Sequence, residues 1–544
     1  MFTTPRLGRR RIVAPQLSES VRRHSRSRWS LPAGRTIATV LLATTALPVP
    51  VSPQQQPKTT LITNVRLLDG TGTPSRPAAV RVRGDRIVEV GQLEPQAEDA
   101  VVDGGGLALA PGFIDTHSHH DRGLLQHPEA LALVSQGVTT IVVGQDGGSR
   151  SPLAQYFARL EAEPAAVNLA SYAGHNTLRR QVLGDDFRRT ATPAEIDEMR
   201  RLLRGELAAG ALGLSTGLEY DPGIYSATEE VLALAQEAAA AGGRYVSHIR
   251  SEDRDLWPAV EEVIRIGREA RLPAQISHMK LAMRSLWGQA GRLLARLEEA
   301  RAAGIDITAD VYPYVYWQST MTVLFPQRDF DNRESAAFAL DELAPPEGLL
   351  IARFDPDSSY VGKTVAEIAQ LRETDPVTTY MALIAEAQAV EQETGRPAES
   401  VIGTSMDPDD VVELIAWPHS NVCSDGELDG RHPRGFGSFT RILGRYVRER
   451  QALTLENAVR KMTSLAADHV GIRDRGVIRP GAHADLVLFD PDRVIDRATP
   501  EEPRLPSTGV VGVWVNGVKV FAEGEPTGAL PGQVLRRREP DETE

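Results

Sequence analysis

Cysteine is almost absent. The 544-residue sequence has one, Cys423, so no intramolecular disulfide can form and no cysteine cluster can hold a metal. An ion would have to be held mainly by His, Asp and Glu. Aromatic residues are 5 % of the chain, and no stretch beyond residue 60 is apolar enough for a membrane-spanning helix. Basic residues are in deficit, 60 against 73 acidic ones, for a net charge of −13. The deficit is uneven: residues 1–35 hold nine Arg and one Glu, which leaves −21 on the remainder. An acidic body argues against nucleic acid as the main partner. The H-E-x-x-H helix of zincins, the P-loop and a credible dinucleotide fingerprint are all missing. Apolar side chains at 41 %, with 46 glycines, make up the usual globular share and exclude a disordered or collagen-like chain.

The first sixty residues read as an address. A basic arm (1–35) precedes the small and apolar run Thr36–Leu47, then a Pro/Gln stretch (48–57). That order describes a secretory signal and predicts export to the periplasm, with a cytoplasmic protein as the alternative. The run is too short to cross a bilayer as a helix.

Beyond it a strand–helix unit repeats. Eight β-rich apolar segments end in polar or titratable residues: 112–121, 139–146, 167–175, 213–220, 244–252, 274–280, 306–314 and 421–425. Helical patterns over 193–210, 227–242, 257–270 and 290–304 lie between them. Alternating β and α predicts a parallel sheet, and eight units favour an α/β fold of the closed (β/α)8 TIM type over 111–475. The spacing to the last strand leaves an excess at about 326–400, read as an inserted subdomain. Residues 58–110 and 476–535 alternate as strands, and together they predict a small β-sandwich built from both chain ends.

Barrel enzymes do chemistry at the C-terminal ends of their strands. Strand one ends Asp115-Thr-His117-Ser-His119, where residues two apart share a face. Strands five and six carry His248 and His278, and strand eight ends at Asp425. Alone, each is an unremarkable polar residue; around one ring they predict a site for zinc or a similar divalent ion. Arg250, Lys280 and Arg434 follow at the same mouth and suit a carboxylate-bearing substrate. His175 ends strand three, as a carbonyl-polarising or a structural residue. Gly213-Leu-Ser215-Thr-Gly217 fits the nucleophile-elbow pattern, but Pro222-Gly223 follows where that elbow needs a helix.

Several blocks resemble the amidohydrolase superfamily, in particular its D-aminoacylase (N-acyl-D-amino-acid deacylase) group. They are Pro111-Gly-Phe-Ile-Asp-Thr-His-Ser-His119, Gly213-Leu-Ser-Thr-Gly-Leu-Glu-Tyr220, Tyr245-Val-Ser-His-Ile-Arg-Ser-Glu252, Ile276-Ser-His-Met-Lys280, Asp310-Val-Tyr-Pro-Tyr314 and Ser424-Asp-Gly426. The resemblance implies hydrolysis of N-acyl-D-amino acids by a metal-activated water, with one or two zinc ions. It puts His117, His119 and Asp425 on one ion and His248 and His278 on the other, with Lys280 and Tyr312 clamping the substrate carboxylate. Asp425 is expected to move the proton. Relatives end strand two in Asn-Cys-Gly; here the segment is Gly144-Gln-Asp146-Gly147. Two divalent ions among neutral imidazoles would repel, so an anion is required between them. Glu219 is the expected bridge and Asp146 its competitor. Dipeptides, cyclic amides or lactones are alternative substrates, and a non-catalytic ligand-binding barrel is an alternative of another class. Oligomeric state stays open.

Overall fold

The computed structural model describes residues 59–538; the segment read as an export signal lies outside the described residues. The described part opens with β1 (Thr59–Leu67), β2 (Arg76–Arg83), β3 (Arg86–Gly91), β4 (Asp99–Asp103) and β5 (Ala108–Pro111). Then come β6 (Phe113–Asp115), β7 (Val138–Val143), β8 (Asn168–Ser171), β9 (Ala173–Gly174), β10 (Gly213–Gly217), β11 (Arg244–His248), β12 (Ala274–Ile276) and β13 (Ile307–Val311), largely alternating with helices. The local reasons are plain. β7, Val-Thr-Thr-Ile-Val-Val, is β-branched throughout and wholly buried, as a strand covered on both faces requires. The helix Pro193–Ala208 begins at a reciprocal capping box between Thr192 and Glu195, with proline in its first turn.

After β13 the chain leaves the repeat. β14 (Tyr316–Ser319), β15 (Leu349–Phe354) and β16 (Glu399–Thr404) form an antiparallel sheet in the order β14-β16-β15. This inserted piece starts at residue 316, earlier than the expected 326, because β14 pairs with β16 and not with the barrel. β17 (Ser420–Val422) then returns to lie parallel to β13.

Parallel pairing runs β6-β7-β8 and β9-β10-β11-β12-β13-β17. β8 and β9 are one strand interrupted at Tyr172. At the other seam the Asp425 amide donates to the His117 carbonyl (2.8 Å) and the His119 amide to the Gly426 carbonyl (2.9 Å). These bonds join the last strand to the first, and they place two site loops side by side.

β18 (Leu486–Phe489), β19 (Val510–Val515), β20 (Val518–Ala522) and β21 (Glu525–Pro526) extend the N-terminal strands into one sheet, ordered β21-β20-β19-β18-β5-β1-β2-β3, with β4 beside β1. Its alternation serves two cores. Leu109, Leu486, Leu488 and Trp514 join a local cluster with Ile62, Val80 and Val82. Ala108, Ala110, Val487, Phe489 and Val513 point the other way, into the core that holds Phe113 and Val138 of the barrel.

Candidate active site

Most of the predicted site residues stand at or just past the C-terminal ends of the barrel strands. His117 and His119 follow β6, and both present Nε2 to one oxygen of Asp146, at 3.3 and 3.1 Å. Asp425, after β17, faces the same two rings with Oδ1 at 3.5 and 3.3 Å. The other oxygen of Asp146 faces His278 Nε2 at 3.3 Å and His248 Nδ1 at 3.9 Å. Three donor groups result: His117, His119, Asp146 and Asp425; Asp146, His248 and His278; and Glu219, His248 and Glu252. Within each, the ligand atoms lie within 4.8 Å of one another. Asp146 belongs to the first two, and Glu219 only to the third.

This corrects the expectation that Glu219 stands between the two histidine pairs, though it remains within ligand distance of His248. Its carboxylate meets the far side of His248, with Oε2 2.9 Å from Nε2, and contacts no histidine of the first pair. The bridge position falls to Asp146 because the chain after β7 turns inward there. Asp146 (φ +53°) and Gly147 (φ +72°) are both left-handed. A Cβ on Gly217 would sit 2.2 Å from the Asp146 carbonyl, so the glycine at the end of β10 makes room for that turn. Glu219 instead shares a hydrogen bond with His248 Nε2 and leaves Nδ1 to face the cluster; burial pushes its carboxyl well above the ordinary range.

The electrostatics are those of a cation site. Burial pulls His119 and His278 down, yet neighbouring carboxylates outweigh it: Asp146 and Asp425 raise His119 to about 9, and Glu252 and Asp146 raise His278 to about 10. Burial opposes ionisation of Asp146 and Asp425 too, but the imidazoles, and for Asp425 the Arg434 guanidinium, hold both well below the ordinary carboxylate range. Burial pushes His248 down to about 4, more than the Glu252 and Asp146 carboxylates restore against His278 and Lys280, so it stays neutral. Imidazole nitrogen and carboxylate oxygen, converging where positive charge is stabilised, fit a divalent ion of the zinc type, which would displace the imidazole protons.

Beside the cluster lies a narrow cavity of about 40 Å³, lined by Lys280, Tyr312 and Arg434 among others. Lys280 and Arg434 both stand over the Tyr312 ring, at 5.6 and 5.0 Å from its centroid. Lys280 Nζ is 2.6 Å from Glu252 and Arg434 Nη1 is 2.7 Å from Asp425. The Tyr312 hydroxyl and Arg434 Nε are buried donors without a partner among the described residues.

Two other expectations are overturned. Arg250 lines neither cavity at the barrel mouth. It points instead to Glu262, with two hydrogen bonds at 2.8 and 2.9 Å, and to the Ile224 carbonyl. His175 opens a buried helix and bonds to Glu230 at 2.8 Å, which is itself held by Arg179. Its role is structural. Ser215, in the elbow-like pattern, is buried on β10 and donates to the Gly144 carbonyl. Three supporting residues went unassigned in the sequence. Glu252 braces Lys280 and His278. Asp310 accepts the His278 amide at 2.6 Å. Asp115 accepts from Ser424 and ties the Asp425 loop to β6. All three lie inside the quoted motifs, and only the spatial pairing reveals their work.

The model of the amidohydrolase family matches residues 100–521, well over half of the sequence. The chain belongs to the amidohydrolase family. It is 38 % identical over 497 residues to the N-acyl-D-glutamate deacylase of Alcaligenes xylosoxydans xylosoxydans, a match spanning 87 % of this chain and 95 % of that one. With the D-aminoacylase of the same organism it shares 36 % over 507 residues, 89 % of this chain and 98 % of the other. The crystal structure of N-acyl-D-glutamate deacylase from Bordetella bronchiseptica, complexed with zinc and a phosphonate mimic of the tetrahedral intermediate, superposes with a TM-score of 0.79. Its sequence is 37 % identical, and the match covers 88 % of this chain and 99 % of that one. This amidohydrolase therefore carries the barrel of its relatives, with an aspartate as the strand-two anion.

Proposed function

We propose that this amidohydrolase is a metal-dependent deacylase that cleaves N-acyl-D-amino acids. One observation carries the reading: a two-lobed imidazole–carboxylate cluster adjoins an anion clamp whose buried donors, Tyr312 Oη and Arg434 Nε, lack acceptors. A buried unpaired donor is costly, and a substrate carboxylate would satisfy both. The D configuration rests on the relatives.

His117, His119, Asp146 and Asp425 would hold one zinc ion, and Asp146, His248 and His278 a second. Zinc, when bound, supplies a Lewis acid that acidifies water and polarises the scissile carbonyl. Lys280, Arg434 and Tyr312 orient the substrate by its carboxylate, which puts the amide beside the cluster. Asp425 is kept anionic by Arg434 and the imidazoles, so it is ready to accept the water's proton. It returns that proton to the departing nitrogen, and the acyl group leaves as a carboxylate.

The test is metal analysis of the purified protein with a panel of N-acyl-D-amino acids, their L-enantiomers and cyclic amides. Bound zinc and D-selective release of free amino acid are expected. Turnover of cyclic amides alone would overturn the assignment. Asp425→Asn should retain the fold by circular dichroism and lose at least a hundredfold in kcat, the scale of a lost general acid–base. The basic arm and the apolar run Thr36–Leu47 support a periplasmic location. N-terminal sequencing of protein from the periplasmic fraction should find the mature chain starting after residue 47.

A further inference from the structure

We infer that Glu252 is a positioning residue that couples the substrate clamp to the second metal position. Its carboxylate ties Lys280, which holds the substrate carboxylate, to His278, which ligates the second ion. Each of the two, substrate and ion, is therefore held more tightly when the other is bound. The inference rests on the deacylase reading.

Glu252 lies in the loop after β11, and His278 and Lys280 lie in the loop after β12. The Ala282 amide donates to the Glu252 carbonyl at 2.9 Å and laces the two loops together. All three side chains are buried. A single oxygen, Glu252 Oε1, stands 2.6 Å from Lys280 Nζ and 2.9 Å from His278 Nδ1. Lys280 Nζ and His278 Nδ1 are themselves 2.7 Å apart. The other ring nitrogen, Nε2, faces Asp146 at 3.3 Å. The direction of the ring is fixed from behind, where Asp310 accepts the His278 amide at 2.6 Å.

An imidazole that ligates through Nε2 carries its proton on Nδ1. His278 and Lys280 are then two donors crowded against one acceptor, and what one gains from it the other loses. A substrate carboxylate on Lys280 draws part of the ammonium's charge and hydrogen bonding away from Glu252. The Glu252 oxygen bonds more strongly to Nδ1–H in return, and a stronger acceptor there makes Nε2 a better ligand. Linkage makes the effect reciprocal. Ligation at Nε2 polarises Nδ1–H, draws Glu252 toward the ring and frees Lys280 for the substrate. Without Glu252, the ammonium and the ring N–H would face each other with no anion between them.

The experiment times the release of zinc from the loaded enzyme to a chelating dye, alone and with saturating N-acetyl-D-methionine or N-acetyl-D-glutamate. In the wild type, a substrate that is hydrolysed should slow one of the two release phases by about fivefold or more, the low end of the usual coupling between sites. Glu252→Gln and Lys280→Gln, folded by circular dichroism and loaded with zinc, should each reduce that slowing to less than about twofold. Both should raise KM more than they lower kcat. Full slowing retained in either folded variant would show a direct attraction between substrate and ion, and would overturn the role given to Glu252. No slowing in the wild type, with either substrate hydrolysed, would overturn the inference and leave the deacylase reading standing. Neither slowing nor hydrolysis would overturn both.

Discussion

Three non-glycine residues of the site, Asp146, His278 and Asp425, have positive φ, at +53°, +34° and +50°. Such backbone costs on the order of 1–3 kcal/mol per residue and persists where the surroundings over-determine it. The surroundings here are visible: the Asp425 amide is held by the His117 carbonyl and the His278 amide by Asp310. Strain thus aims the carboxylate of Asp146 between two histidine pairs. The two acidic candidates for the bridge consequently predict different outcomes. Asp146→Asn should lower zinc content by at least one ion per chain, measured by atomic emission after dialysis. Glu219→Gln should keep the stoichiometry, because an amide oxygen can still accept from His248 Nε2, and should weaken zinc binding by about 10-fold, the low end of the usual loss of an orienting partner. Loss of an ion in Glu219→Gln, with full loading in Asp146→Asn, would reverse the assignment. Both acids are present in the sequence at strand ends. Nothing in a string of residues says which one reaches the midpoint.

At the scale of elements, periodicity was a good guide to helices. Pro193–Ala208, Thr228–Ala240, Leu256–Ala270 and Ala290–Ala302 fall within about two residues of the patterns at 193–210, 227–242, 257–270 and 290–304. Strand ends were less legible. The expected segments 274–280 and 421–425 shrink to Ala274–Ile276 and Ser420–Val422, because the residues that do chemistry leave the ladder to bond across the barrel mouth. β14 was missed altogether, since a four-residue strand of Tyr-Trp-Gln-Ser alternates too briefly to register. β16 carries a prediction of its own. Burial of Glu399, against one hydrogen bond from the Met321 amide, raises its carboxyl to about 8. Between pH 4.5 and 8 the folded chain keeps a proton that the unfolded chain has lost, so stability falls as pH rises through that window and levels off above it. The slope is at most about 1.4 kcal/mol per pH unit. Glu399→Gln should flatten it, as read from urea unfolding between pH 5 and 8; an unchanged slope would show that Glu399 ionises normally.

For the whole molecule, the cluster joins segments far apart in the chain: His117, Asp146, His248, His278 and Asp425 sit on five different barrel units. A bound ion cross-links them, and a ligand that binds only the folded state stabilises it by mass action. Chelation should lower the melting temperature by several degrees, and zinc should restore it. The effect should shrink below about pH 10, as His278 and then His119 take up protons in competition with the ion.

From the sequence alone followed the barrel, the strand ends that carry chemistry, and the kinds of donor on offer, because hydrophobic period and residue type are local properties of a chain. Distances between segments are not local. Tertiary packing therefore decided that Asp146 and not Glu219 stands between the histidine pairs. It decided likewise that Glu262 claims Arg250, Glu230 claims His175, and the Tyr312 hydroxyl and Arg434 Nε have no partner among the described residues.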